Sequence, residues 1–295
     1  MIAKGRDSLN LQKTDHTDAR VPYRDLYIYY LDGPLANDKE RDLGPHFLGN
    51  WLEEGNSFLF FSRPTRELID GVVTKEKGLR LIDEFHFTYE EWQGGKIKPF
   101  TIPPFFVVPP WEDNQENSGG IKMLLDPGVV FGSTLHPTTR DSLTALATIY
   151  DRHCFDRVLD LGTGTGILAV AAALLGAQSV LAVDMNPLAV RTAIANVGLN
   201  GLEKRVEVRE GRAENWMNHQ ADLVVANIHY EIISGLIQHK EFQNKRWFIL
   251  SGLMRSHADK IRAALSQHDA EIIQEWNHEM IWHTFLGRGK GSHDE

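Results

Sequence analysis

Asp160-Leu161-Gly162-Thr163-Gly164-Thr165-Gly166 decides the fold. It ends the short apolar run Arg157 to Leu161 and opens an Ala- and Leu-rich stretch, Ile167 to Leu175, that Gly176 stops. Strand, glycine turn and helix in that order begin a βαβ unit, and Ser179 to Val183 completes it as the next strand. Glycines in such a turn permit tight bends and close approach of a ligand, while the helix start presents free N–H groups. Downstream, Asn186 offers a capping oxygen and Pro187 takes the first helical position, where its missing N–H costs nothing. Leu188 to Leu199 then runs as a helix to Gly201.

Further strands are expected at Val206 to Val208, Leu223 to Ala226, Phe248 to Leu250, Ile272 to Trp276 and Trp282 to Leu286, with helices between most of them. Strands alternating with helices imply an α/β fold with a mainly parallel, doubly wound sheet covered on both faces. The last two strands leave no room for a helix, so they should pair antiparallel.

The chain before this region has a different texture. Residues 1–22 have few aromatics and no apolar periodicity, which suits a frayed tail. Leu26 to Leu31 (LYIYYL), closed by Asp32-Gly33-Pro34, and Phe58 to Phe61 (FLFF) read as strands. Arg66 to Val73 and Leu79 to Trp92 are further apolar segments, separated by Gly71, Gly78 and Gly94-Gly95. Together they make residues 23–98 a smaller N-terminal α+β domain. Pro99, Pro103, Pro104, Pro109 and Pro110 then mark residues 99–126 as an extended, semi-rigid connector with one short strand, Phe105 to Val108. Residues 127–295 form the ligand-binding domain. Every glycine loop and candidate site residue lies after Asp126, so this domain is expected to hold the cofactor and the N-terminal unit to select the substrate.

At 295 residues the chain has room for about two domains of ordinary size. Hydrophobic residues at 42% and charged residues at 24% exclude a wholly disordered or collagen-like protein. The longest apolar stretch, Ile167 to Ala177, is short of the ~20 residues that span a bilayer, and the first twenty residues contain no apolar leader. No membrane association and a cytoplasmic location are expected. Cys154 is the sole cysteine, which rules out an internal disulfide and any Cys-rich metal site, and it reads as a packing residue. No metal is expected. Thirty-one basic against 40 acidic residues give a net charge of −9, which opposes direct nucleic-acid binding and suits a basic protein partner better.

What the loop binds is read from its neighbours. A dinucleotide fingerprint can be laid on Gly164, Gly166 and Ala169. Asp160 argues against it, since a carboxylate there repels a pyrophosphate but attracts the amino group of an amino acid. Asp184, with Met185 after it, lies where a ribose diol would be held in either ligand. Ala213 and Glu214, after the third strand, offer a backbone amide and an acid to an adenine edge. These features favour S-adenosylmethionine over NAD, with Asp160, Gly162, Thr163, Gly164, Gly166, Asp184, Met185, Ala213 and Glu214 in contact with it.

Pro127-Gly128-Val129-Val130-Phe131-Gly132-Ser133-Thr134-Leu135-His136-Pro137-Thr138-Thr139, followed by the glycine loop, Asp184-Met185-Asn186-Pro187 and Ala226-Asn227-Ile228, resembles the PrmA family, methyltransferases of large-ribosomal-subunit protein eleven. The likeness runs from about Trp92 to about Arg288. It implies a Rossmann-like seven-stranded methyltransferase sheet, cofactor contacts from Thr139, the Gly162 loop, Asp184 and Asn227, and a pocket lined by Phe131 and His136. It also implies a protein substrate, with a ribosomal protein as the family example. Two features differ from the family pattern: Phe131-Gly132-Ser133-Thr134 stands where the family reads FGTG, and the N-terminal unit is longer than the family's small substrate domain.

Asn227, at the carboxyl end of the fourth strand, faces the ligand crevice and can accept from an amine or donate to a carboxylate. His229 and Tyr230 follow it as walls of an acceptor channel. His136 reads equally as a pocket residue and as the cap of the helix that Pro137 opens. Asn227, Tyr230 and His136 are thus the candidate catalytic residues, and Trp276 and Trp282 read as sheet packing. The expected activity is S-adenosylmethionine-dependent N-methylation of a lysine or α-amino group of a protein. RNA or small-molecule methylation on the same fold, and a non-catalytic cofactor-binding scaffold, are the alternatives.

Overall fold

The computed structural model describes residues 22–112, 119–130 and 136–289. Among these residues the chain forms a four-stranded, a three-stranded and a seven-stranded sheet. The first contains β1 (Asp25–Asp32), β2 (Phe47–Glu53), β3 (Asn56–Phe61) and β4 (Arg80–Thr88), in the antiparallel order β2-β3-β1-β4. Between β3 and β4 lies α1 (Arg66–Lys75), which takes Gly71 into its interior instead of breaking there, and after β4 comes α2 (Tyr89–Trp92).

The strand period of two gives this sheet two apolar faces. Tyr29, Leu31, Leu59 and Phe61 pack with Ile69 of α1. Leu26, Ile28 and Phe60 point the other way and form one cluster with Tyr89, Val129, Val130, Leu188 and Ala189. The N-terminal sheet therefore packs directly on the start of α5, Pro187–Leu199, and on Val129 and Val130. Gly49 marks the closest approach, since a Cβ there would fall 2.4 Å from Leu188 Cδ1.

The proline-rich stretch holds more structure than one strand. β5 (Phe100–Ile102) pairs antiparallel with β6 (Phe105–Val108), and β6 pairs parallel with β7 (Ile121–Leu124). Its apolar side chains Ile102, Phe105, Val107 and Met123 join the main core. Three-residue and four-residue strands are too short to show a period, and the prolines between them mask the pairing.

From residue 137 the order is α3 (Pro137–Tyr150), β8 (Arg157–Leu161), α4 (Ile167–Leu174), β9 (Ser179–Asp184), α5 (Pro187–Leu199), β10 (Val206–Glu210), β11 (Leu223–Asn227), α6 (Tyr230–Gln238), β12 (Trp247–Met254), α7 (Arg255–Gln267), β13 (Ala270–His278) and β14 (Trp282–Gly289). The sheet order is β10-β9-β8-β11-β12-β14-β13. The strands from β10 to β12 in that order are parallel, and β14 pairs antiparallel with β13, as the missing crossover helix between them requires, and also with β12. This is the doubly wound α/β fold. β8 and β11 are neighbours though far apart in sequence, so the winding reverses between them and opens a crevice at their carboxyl ends.

Cys154 is exposed in the loop between α3 and β8 and does not pack as expected. No helix among the described residues is long and apolar enough to cross a membrane.

Candidate active site

The glycine loop leaves β8 at Leu161, and Gly162, Gly164 and Gly166 all take positive φ, at 73°, 56° and 83°. Only glycine enters that region without a steric penalty. At Gly162 a side chain is excluded twice over, because a Cβ would also lie 2.0 Å from Ile228 Cγ2. Gly164 is the opposite case: a Cβ there would meet nothing within 4 Å, so the loop faces open space at that point.

Two carboxylates support the loop. Asp160 is 1% exposed, and its Oδ2 accepts from Thr163 Oγ1 at 2.6 Å. Its Oδ1 is buried without a hydrogen-bond partner. Burial pushes the Asp160 carboxyl up to about 7, with Asp184 adding to the rise and the Thr163 hydroxyl and the Ala169 backbone donor opposing it. Asp184, one strand over, accepts from Gly164 N through Oδ2 and from Asn186 N through Oδ1, each at 2.9 Å. Burial raises its pKa as well, and the backbone donors Asn186, Gly164 and Met185 oppose that shift. Met185 is 63% exposed beside it, and Gly211 N donates to Asp184 O at 2.8 Å, bringing the turn before Ala213 and Glu214 to the same rim. Ala213 starts a 3-10 turn, and Glu214 pairs with Arg212 at 3.3 Å.

Across the crevice, Asn227 Nδ2 donates to Thr139 Oγ1 at 3.4 Å, joining the end of β11 to the first turn of α3. Gly252, at the irregular step in β12, has φ +84°, and a Cβ on it would lie 3.2 Å from Asn227 Oδ1. The glycine gives the amide room beside the β12 backbone. His136 is the N-cap of α3: its Nδ1 lies 3.4 Å from Thr138 N and 2.7 Å from Thr138 Oγ1. Its ring meets Trp282 edge-on at 4.9 Å, and burial, with His278 nearby, lowers its pKa. Trp282 thus sits at the crevice edge, while Trp276 packs on the main core.

Tyr230 opens α6. Its ring stacks on His257 of α7 at 4.3 Å, with the Lys260 ammonium 5.4 Å from its centroid. Opening α6 turns this side chain toward the neighbouring helix instead of along the β11 edge. His229 caps α6 by position without a side-chain bond. Phe131, and the Ser133 to Leu135 departure from the family pattern, lie outside the described residues.

The structure also brings in residues that the sequence reading passed over. Asn196 on α5 and Asn200, which closes it as the C-cap, grip the backbone of residues 124–126. Asn196 Oδ1 accepts from Asp126 N, and its Nδ2 donates to Asp126 O and to Thr165 O of the glycine loop, all at 2.8 Å. Asn200 accepts from Leu124 N at 2.9 Å and donates to Leu124 O at 2.8 Å. The available signal was two asparagines at i, i+4, one inside and one closing an Ala- and Val-rich helix: asparagine is a poor helix former, and a buried amide needs partners.

The ribosomal protein L11 methyltransferase (PrmA) family profile matches residues 74–290. The ribosomal protein L11 methyltransferase of Clostridium botulinum (strain Eklund 17B / Type B) is 38% identical over 199 residues, covering 64% of this chain and 63% of that protein. The enzyme of the same name from Streptococcus pneumoniae serotype 4 is 34% identical over 178 residues, covering 58% of this chain and 56% of its own. The chain thus spans less than two thirds of the length of these curated relatives. The crystal structure of ribosomal protein L11 methylase from Lactobacillus delbrueckii subsp. bulgaricus aligns with a TM-score of 0.58 and 29% identity, over 65% of this chain and all of that one.

Proposed function

The chain belongs to the ribosomal protein L11 methyltransferase (PrmA) family, and from that premise we propose that it transfers a methyl group from S-adenosylmethionine to a lysine or α-amino nitrogen of a protein. The observation that carries this reading is the glycine loop itself. Asp184 holds it through Gly164, it opens into free space at Gly164, and it covers a carboxylate oxygen with no partner. An unpaired buried carboxylate oxygen is costly, and an incoming ammonium group is the partner that would relieve the cost.

In this reading Asp160 takes the amino group of the cofactor and the Thr139 hydroxyl its carboxylate. Asp184 accepts from the ribose hydroxyls with the lone pairs its backbone donors leave over. Gly162, Thr163, Gly164 and Gly166 form the floor, Met185 covers the adenine, and Ala213 and Glu214 read its edge. When bound, S-adenosylmethionine supplies a methyl group on a positively charged sulfur, which is the reactive chemistry the chain itself lacks.

The work left to the protein is to present a neutral amine and keep water out. Lysine, with a pKa of about 10.4 in water, must lose its proton first, and a partly desolvated slot favours the neutral form. Asn227 Oδ1 accepts from the amine and orients its lone pair. His136 holds the first turn of α3, and with it Thr139, in place. Tyr230 shapes the outer wall through its stack with His257.

Titration calorimetry with S-adenosylmethionine, followed by transfer of radiolabelled methyl groups to a cell lysate and to purified large-subunit protein L11, tests the proposal. The expected result is binding, and label in a protease-sensitive band that persists through nuclease treatment. Nuclease-sensitive label would move the substrate to RNA, and binding without transfer would leave a scaffold.

A further inference from the structure

We propose that Asn196 and Asp126 are positioning residues that couple the docking of the N-terminal sheet to the cofactor loop. The cofactor half of the site then depends on residues that never touch the cofactor. This rests on the cofactor reading above.

The connection is an unbroken chain of hydrogen bonds. Tyr89, which opens α2 after β4, donates from its hydroxyl to Asp126 Oδ1 at 3.3 Å, and that same oxygen accepts from Gly128 N at 2.9 Å. Gln93, one turn on, donates to Gly128 O at 2.8 Å. The peptide groups of Asp126 bond to Asn196, and Asn196 passes its remaining donor to Thr165 O inside the glycine loop. Asn196 is fully buried, so none of its bonds can be exchanged for water without opening the core.

Apolar packing runs alongside. Val129 and Val130, which follow Gly128, share a cluster with Leu26, Ile28, Phe60 and Tyr89 of the N-terminal unit and with Leu188 and Ala189 of α5. α5 starts directly after Asp184, and Ala193 on it lies against Gly166, with Cα and Cβ 3.1 Å from where a Gly166 Cβ would be. Arg191 of α5 adds a tie to Glu40 at 3.2 Å. One face of α5 therefore supports the glycine loop while another carries the N-terminal sheet. A shift of the sheet by a fraction of an ångström must be absorbed by α5, by the 126–130 backbone, or by the loop, because a close-packed interior has no slack to take it up.

The prediction is reciprocal, since linkage between two sites acts in both directions. Adding S-adenosylmethionine to the full chain should slow amide hydrogen exchange in residues 85–94 as well as in residues 160–166. Substituting Gln93→Leu, which removes one bond far from the crevice, should weaken S-adenosylmethionine binding by roughly fivefold to tenfold, a typical coupling. Turnover at saturating cofactor should stay within about twofold, because no group at the acceptor end is altered. Protection confined to residues 160–186, with an unchanged affinity in Gln93→Leu, overturns the coupling while leaving the cofactor reading intact. A full chain that does not bind S-adenosylmethionine at all overturns both. The exchange experiment needs no variant, so the outcome does not depend on how well Gln93→Leu folds.

Discussion

The two rims of the crevice are built differently. On the β8 and β9 side, the two carboxylates meet the Thr163 hydroxyl at 2.6 Å and the backbone donors Gly164 and Asn186 at 2.9 Å. On the β11 and α3 side, Asn227 reaches Thr139 at a long 3.4 Å, and Tyr230 faces α7. One rim is preorganised by short bonds within the fold, and the other is held by a single long one. The division suits a protein that takes a constant cofactor on one side and a whole protein on the other, since preorganisation reduces the ordering cost of binding but narrows what can be accepted.

Asp184→Ala should have the largest effect. It removes the acceptor of Gly164 N and Asn186 N and the one proposed for the ribose, so S-adenosylmethionine binding should fall by roughly tenfold to hundredfold in calorimetry, with a lower melting temperature. Unchanged affinity would mean that the β9 rim is not the cofactor rim. Asn227→Ala tests the other side. Turnover should drop about tenfold, equivalent to ~1.4 kcal/mol of barrier, while cofactor affinity moves less. A loss confined to cofactor affinity would erase the contrast between the rims.

Asp160 sharpens the comparison through pH. A raised carboxyl pKa means that the folded chain binds the proton more tightly than the unfolded one. The contribution of Asp160 to the stability of the ligand-free fold is therefore full below the ordinary value of 3.8 and is lost as pH rises to about 7. An ammonium partner favours the ionised form instead, so S-adenosylmethionine affinity should rise several-fold from about pH 6 to about pH 8, with proton release on binding. Asp160→Asn should flatten both trends, and calorimetry in buffers of different ionisation enthalpy would read the proton directly. Cofactor affinity that is flat with pH in the unsubstituted chain would remove Asp160 from the ammonium site.

The smallest effect is expected at His136. Its Nδ1 is engaged in capping α3, so His136→Ala should cost ~1 kcal/mol of stability in denaturant melts, and turnover should stay within about twofold. His136→Asn, which can also cap, should recover the stability. A large loss of turnover in both variants, with stability intact, would make His136 part of the chemistry and the second rim more preorganised than its distances suggest.

The chain's own residues determined the parallel core. A glycine loop between an apolar strand and an Ala-rich helix, and Asn-Pro opening the next helix, are local signals whose physics acts within a few residues. β8, α4, β9 and α5 accordingly fall where the sequence put them, and the antiparallel ending follows from a missing crossover segment. The same locality singled out Asp160, Asp184 and Asn227 as candidates, because each lies at the carboxyl end of a strand of the parallel sheet, Asp160 one residue before the end of β8. Tertiary structure decided what depends on distant partners. The strands Phe100–Ile102 and Ile121–Leu124 exist only because Phe105–Val108 lies between them to be paired with. Tyr230 turned to α7 because His257 was there to stack on. Asn196, Asp126, Tyr89 and Gln93 each read as ordinary polar residues until folding brought together positions as far as 70 apart in sequence. Short-range propensity and period act along the chain, whereas a buried polar group takes its role from whichever partner the fold delivers to it.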